Sequence, residues 1–340
     1  MSSQRLDYID IMKGFAIASV VTMHVSSPVE PAAISKFVSS FAMQLFFMAA
    51  GMVSHSPEGY ALENIRQNVR RKFLSLMVPY FIWCLILTPP SVANIGKMLY
   101  GSFDGLLTIN PFVVHLWFLP SFFLASIMLN ALLNLFARAT NRYLLPILTL
   151  TTFVIGFVLP KIPTGYPWGV NLSFVALGFM LSGFCGKEFI LRMNSKSVLV
   201  QIAFVLVSAA VLAVGNLYGI KDVWFISMCS TEFGPVGWFW LNGLAGIIMV
   251  RAISSLLAKA SERSRLNGMK RVAIWLGQNT MGIFIVQMPI CICGVIPLML
   301  RLGMSPNNSL HVILAAVVAL MVSAIATWGI KKLCPQIFGK

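Results

Sequence analysis

Three ionisable side chains fall within one otherwise apolar stretch near the start of the chain, DIMKGFAIASVVTMH, as Asp10, Lys13 and His24. At 100° per residue, the eleven positions from Lys13 to His24 make 1100°, three turns and 20°, so a helix would carry both on one stripe, about 16 Å apart along its axis. Asp10 precedes Lys13 by three residues and joins that stripe at ion-pairing distance. An ionisable group inside a membrane-spanning helix costs about 2.5–3.5 kcal/mol on the insertion scale, so such groups face the bundle interior or water and mark a working site by default. An imidazole and an ammonium in that setting suit an enzyme that moves a proton or a transporter that couples to one. The plainer reading is that Lys13 snorkels to the headgroups and that His24 is a neutral hydrogen-bonding residue at the opposite interface.

The rest of the chain must hold that stripe in a membrane. Of 340 residues, 58% are hydrophobic and 10% charged, with a mean hydropathy of +0.84, outside the range of soluble domains. Apolar runs of about 20 residues predict ten spans, at 9–27, 37–54, 73–93, 111–136, 144–160, 169–186, 198–219, 234–253, 275–300 and 310–330. The expected fold is therefore an all-α polytopic bundle forming a single domain over 1–340. The net charge of +15 is spread over loops, which fits membrane orientation and not nucleic acid. With ten spans, 20 of the 25 Lys and Arg residues fall on the side of the amino terminus, and Lys36, Lys97, Lys161, Lys221 and Arg301 on the other. The positive-inside rule then predicts that both termini are cytoplasmic.

The basic lead and apolar first run resemble a secretory signal, but Asp10, Lys13 and His24 and the lack of an A-x-A exit argue for a retained helix. Six cysteines, mostly within expected spans and without a CxxC pattern, read as packing residues, with neither disulfide nor metal expected. Prolines at 79, 89, 90, 120, 289 and 297 are tolerated in a bundle where neighbours or a cavity satisfy the freed backbone, so kinked helices can enclose a site. No internal repeat of the transporter kind is visible.

Other residues carry weaker signals. His115 and Trp117 open the fourth span near Pro120, as substrate contacts or interfacial anchors. Trp238, Phe239 and Trp240 at the start of the eighth span fit an aromatic belt better than a sugar platform. Asn242 and Gln287, neutral and within spans, are expected to bond helix to helix. The basic run Arg66, Arg70, Arg71 and Lys72 suits either headgroup anchoring or phosphates. His55 and His311 lie at loop edges. No Ser-His-Asp order, Gly-rich phosphate loop or HExxH motif is present.

Taken in order, several blocks carry a resemblance. RLDYIDIMKGFAIASVVTMH is similar to the amino-terminal signature of the acyltransferase-3 family of integral-membrane acyltransferases, with Asp10, Lys13, Gly14 and His24 on the Asp, [RK]-Gly and [RK]-x10-His positions. LFFMAAGMV (45–53) resembles the family's second helix, RRKFLSLMVPYFIW (70–83) its basic lead into a PY helix, HLWFLPSFFLA (115–125) the LWFL block of the sugar O-acetylase branch, and LGQNTMGIFIVQMPI (276–290) its late helix. Gln287 stands where the family often has a histidine, and Leu74 where an Arg-x-x-Arg pattern would end.

The resemblance implies transfer of an acyl group, most often acetyl, from cytoplasmic acetyl-CoA to a hydroxyl of a cell-surface glycan or lipid-linked sugar, at the plasma (inner) membrane. His24 would then take the acceptor hydroxyl's proton. Lys13 would attract the donor's phosphates or hold charge on the oxyanion, and Asp10 would orient or neutralise Lys13. Arg70, Arg71 and Lys72 would meet the phosphates of coenzyme A, and His115 and Trp117 the acceptor. A proton-coupled transporter of a small solute or glycan precursor is the strongest rival, and a non-catalytic scaffold a third reading. The ordered blocks and the polar stripe together favour the enzyme.

Overall fold

The computed structural model describes residues 3–55, 62–136, 143–194, 196–219, 226–259 and 266–339. Of the basic residues used for orientation, Arg138, Arg142, Lys221, Arg263, Arg265 and Lys340 lie outside them. In chain order the helices are α1 (Ser3–His24), α2 (Ala33–Ser39), α3 (Ala42–Met52), α4 (Leu62–Lys72), α5 (Val78–Leu87), α6 (Val92–Tyr100), α7 (Phe103–Leu107), α8 (Phe118–Leu135), α9 (Leu144–Val158), α10 (Val170–Asn194), α11 (Val198–Val214), α12 (Val236–Ala258), α13 (Leu266–Gln278), α14 (Thr280–Ile290), α15 (Ile296–Arg301) and α16 (Ser309–Leu333). Wider π turns join α4 to α5 at Phe73–Met77 and α14 to α15 at Cys291–Val295. Among the described residues there is no strand, only an isolated bridge between Ser227 and Glu232.

The expected all-α polytopic membrane bundle is therefore the fold. Seven helical segments among the described residues are long and apolar enough to cross a membrane. The expected spans at 9–27, 73–93 and 144–160 overlap α1, α5 and the shorter apolar α9, which are not among those seven. One expected boundary is wrong: the span drawn at 275–300 begins inside α13, and the chain breaks at Asn279. There the Asn279 amide N–H donates to the carbonyls of both Trp275 and Leu276, and its side-chain Nδ2 to Trp275 at 2.7 Å. Such a side chain offers the backbone an alternative to continuing the helix.

The chain packs as two compact units, and α3, α10 and α16 each contribute to both. The first holds residues 1–46, 188–228 and 232–329. Its packing is that of a protein in lipid. On α16 the small residues Ala315, Ala316, Ala319, Ser323 and Thr327 are buried while Leu314, Val317, Met321 and Ile325 face outward. Close helix approach through small residues, with large apolar side chains left to lipid, is what a bilayer favours. At Gly282 on α14 an added Cβ would stand 2.3 Å from the Thr327 methyl, so the same economy holds across that contact.

The second unit holds residues 47–187, 229–231 and 330–340. Its core is aromatic: Phe47 packs on Phe118 and Phe122, Phe153 on Phe179, and Trp83 stacks on Phe338. Tyr80, fully buried, donates its hydroxyl to the carbonyl of Met98 at 2.7 Å, so the one polar atom of that ring is satisfied.

Candidate active site

Helix α1 is one uninterrupted run through Asp10, Lys13 and His24, so all three belong to the first unit. Ile11, Met12, Ile17 and Val21 are fully buried and fix its rotation. Lys13 Nζ lies 2.6 Å from Asp10 Oδ1, the expected (i, i+3) pair. Asp10 Oδ2 also accepts from Gln278 Nε2 at 3.1 Å, which ties the pair to the end of α13. Asp7 makes a second link, 3.6 Å from Lys270.

Two glycines bring α1 and α13 into backbone contact. A Cβ on Gly14 would stand 2.3 Å from the carbonyl oxygen of Ala273, and one on Gly277 would stand 1.8 Å from that of Asp10. Along α1 the contacts run 10 to 14 while along α13 they run 277 to 273, so the helices are antiparallel. Gly14 is thus an element of packing, set one residue after Lys13.

His24 closes the other end of α1. The chain is held there by Ser26, whose Oγ accepts from the Ala32 N–H at 2.9 Å and donates to the Pro306 carbonyl at 3.2 Å. The imidazole Nδ1 stands 3.1 Å from Oε1 and 2.8 Å from Nε2 of Gln287 on α14. Gln287 is fully buried, and Cys291, one turn on, donates its thiol to Oε1 at 3.8 Å. The amide can accept from a protonated Nδ1 or donate to an unprotonated one. With the proton on Nδ1 and accepted by Oε1, the Nε2 lone pair is the basic one, which is how a general base is set in its working tautomer. Gln287, expected only as a helix-to-helix bond, is therefore part of this site. The π turn beside it at Cys291–Val295 is of a kind frequent at functional sites.

Lys13 and His24 lie about 16 Å apart along this helix by its rise per residue. Two residues of the first unit depart from expectation. Asn242, fully buried, makes no hydrogen bond from its side chain among the described residues and packs against Gly215, where an added Cβ would meet its Oδ1 at 2.1 Å. Arg251, counted among the basic residues on the side of the amino terminus, is 1% exposed, with its guanidinium 5.1 Å from the centre of the Phe204 ring. Both were hidden in sequence because burial depends on partners far along the chain.

The remaining expected residues belong to the second unit. Arg71 and Lys72 line a cavity of about 400 Å³ together with Ser54, His55, Asn68 and Asn130. Lys72 Nζ stands 5.7 Å from the centre of the Phe122 ring. Burial, and then the neighbouring Arg71 guanidinium, pull the Lys72 ammonium below the ordinary lysine range. The Oδ1 atoms of Asn68 and Asn130 have no hydrogen-bond partner among the described residues. Arg70 is exposed on α4 and is not among the residues lining the cavity. His55, at a loop edge in the sequence, is. His115 and Trp117 sit in a tight turn at Val114–Trp117, 3% and 7% exposed, inside the unit, and neither lines this cavity.

Among the described residues no cluster of three or more His, Cys, Asp or Glu could hold a metal ion. No curated protein matches the chain. A family model described as an acyltransferase domain matches residues 6–328, a stretch that includes the α1 stripe, the cationic cavity and Gln287. A match over nearly the whole chain, on an all-α multi-pass membrane bundle, makes this protein a membrane acyltransferase of the acyltransferase-3 family.

Proposed function

We propose that the protein moves an acetyl group from cytoplasmic acetyl-CoA to a hydroxyl of a cell-surface glycan or lipid-linked sugar, as a multi-pass protein of the plasma (inner) membrane with both termini cytoplasmic. The observation that carries this reading is the contact between His24 and the buried amide of Gln287, an imidazole held in orientation by a neutral partner. In this account Nε2 takes the proton of the acceptor hydroxyl as its oxygen forms a bond to the thioester carbonyl. The C–S bond then breaks, and the leaving coenzyme A thiolate takes the proton from the imidazolium. The reaction needs no other reactant, and the histidine is restored.

The cavity lined by Arg71, Lys72 and His55 suits the phosphates of the donor, because clustered cations with low-dielectric walls concentrate anions. Unpartnered amide oxygens at Asn68 and Asn130 suit donors of a nucleotide base. Lys13, paired with Asp10, is a second cation for the donor. Arg70, exposed on α4, belongs to headgroup anchoring in this account, while the buried His115 and Trp117 support the unit from within. The test is to incubate protein in lipid vesicles with acetyl-CoA and a panel of sugar acceptors, and to look for O-acetylated product by mass spectrometry. Product made only with acetyl-CoA present supports the reading. Solute uptake under a proton gradient without product would replace it with a transporter.

A further inference from the structure

The second unit contains another cavity, of about 280 Å³, that the reading above does not use. Asp104, Lys161, Tyr166, Asn171, Ser230 and Thr231 are among its lining residues. Helix α10 relates it to the cationic cavity: Asn171 lines the first and Met180 the second. Nine residues of helix separate them, about 13 Å along the axis.

The walls of this cavity are built firmly. Ser102 Oγ accepts from the Gly105 N–H at the start of α7 and donates to the Thr164 carbonyl at 2.7 Å. Tyr100 donates its hydroxyl to the Gly165 carbonyl at 2.9 Å, and Trp168 donates Nε1 to the Leu99 carbonyl at 2.7 Å. The loop before α10 is thereby clamped to residues 99–102. Trp168 and Thr231 hold positive φ, at 53° and 57°. Such conformations persist where surrounding structure enforces them, which concentrates them at ligand sites. At Gly165, φ is 66° and an added Cβ would stand 2.7 Å from Asp104 Oδ2, so a glycine there lets the carboxylate lie against the loop.

The side chains offered to the cavity are left with capacity to bond. Asp104, Lys161, Tyr166 and Asn171 make no side-chain hydrogen bond or ion pair among the described residues, although Asn171 is only 6% exposed. The set combines an acceptor-only carboxylate, a donor-only ammonium, and a phenol and a carboxamide that do both. An acyl chain would leave these groups unsatisfied at a cost. A phosphate would meet Asp104 as well as Lys161. Hydroxyl groups, each donor and acceptor, match the whole set, and the ring of Tyr166 can cover the apolar face of a pyranose. The volume is just below the ~300–1,000 Å³ of typical small-ligand pockets, which fits one ring and not a chain of them.

We propose that this cavity binds one sugar ring of the acyl acceptor, an inference that rests on the glycan O-acyltransferase reading for its biological meaning but not for its test. Binding of methyl glycosides of glucose, galactose, mannose, rhamnose and N-acetylglucosamine to protein in nanodiscs is measured by saturation-transfer NMR. Transfer of acetyl from acetyl-CoA to the same glycosides is followed in parallel. Ring-proton signals are expected for at least one glycoside, with affinity lower by roughly tenfold in both Asp104→Asn and Tyr166→Ala, while melting temperature is kept. The same variants should raise KM for that glycoside and leave kcat near wild type. Binding that depends on Asp104 without any acyl transfer would sink the enzymatic reading and keep the sugar site. Transfer whose KM ignores both substitutions, or no binding of any glycoside, overturns the site.

Discussion

The side-chain nitrogen of Gln287 lies 2.8 Å from Nδ1 of His24, although 263 residues separate the two in the chain. A buried neutral amide can hold the imidazole in either tautomer without adding charge to the bundle, where an unpaired ion is costly. That pairing gives the lone histidine of α1 a defined orientation, and the first prediction follows from it.

Gln287→Leu removes the orienting bond and keeps the size of the side chain. Activity, read as kcat with saturating donor and acceptor, is expected to fall about tenfold, less than the 10²–10⁴ typical for loss of a general base. Gln287→Glu should recover part of that loss, because a carboxylate still accepts from Nδ1–H. A Leu variant as active as wild type would remove Gln287 from the site.

The crossing of α1 on α13 predicts an asymmetry between two glycines of one helix. A methyl at Gly277 would meet the backbone oxygen of Asp10 at 1.8 Å, whereas one at Gly268 meets nothing within 4 Å. Gly277→Ala is expected to cost about 1–3 kcal/mol through overpacking, and Gly268→Ala to be neutral or stabilising by up to about 1 kcal/mol through helix propensity. Thermal unfolding in detergent compares them, and equal effects would contradict the backbone contact.

The Asp10–Lys13 pair is partly open, its side chains 16% and 33% exposed, so solvent screening limits its worth to below about 1 kcal/mol. Lys13→Met should leave stability almost unchanged and raise KM for acetyl-CoA severalfold. A fall in kcat with unchanged KM would instead return Lys13 to the oxyanion.

The cationic cavity predicts a pH dependence. Burial, then Arg71, holds the Lys72 pKa below that of an ordinary lysine, so its positive charge is lost at lower pH than usual as pH rises. Affinity for adenosine 3′,5′-bisphosphate, whose phosphates are already ionised above pH ~7, should therefore decline with rising pH. In Lys72→Arg, which stays charged, the decline should vanish. Isothermal titration at several pH values reads this, and the same decline in both proteins would exclude Lys72.

Local features of the sequence anticipated much of this arrangement. The helical stripe of Asp10, Lys13 and His24 and their ion pair follow from spacing alone, and the apolar runs place most spans within a few residues. What spacing could not supply were partners set by tertiary packing: Gln287 for His24, Ala273 for Gly14, burial for Arg251. The break at Asn279 was available in principle, since an asparagine can bond back to its own helix, but the apolar run on either side outweighed it. The cationic run 66–72 was visible, yet only the folded chain shows that Arg71 and Lys72 line the cavity while Arg70 does not.

Catalysis at His24 is read by one comparison: transfer of labelled acetyl from acetyl-CoA to a sugar acceptor by wild type and His24→Ala, reconstituted in vesicles at equal folded yield. Wild type should transfer the acetyl group, and the variant should be slower by about 10²–10⁴. Transfer at the wild-type rate by His24→Ala would contradict it.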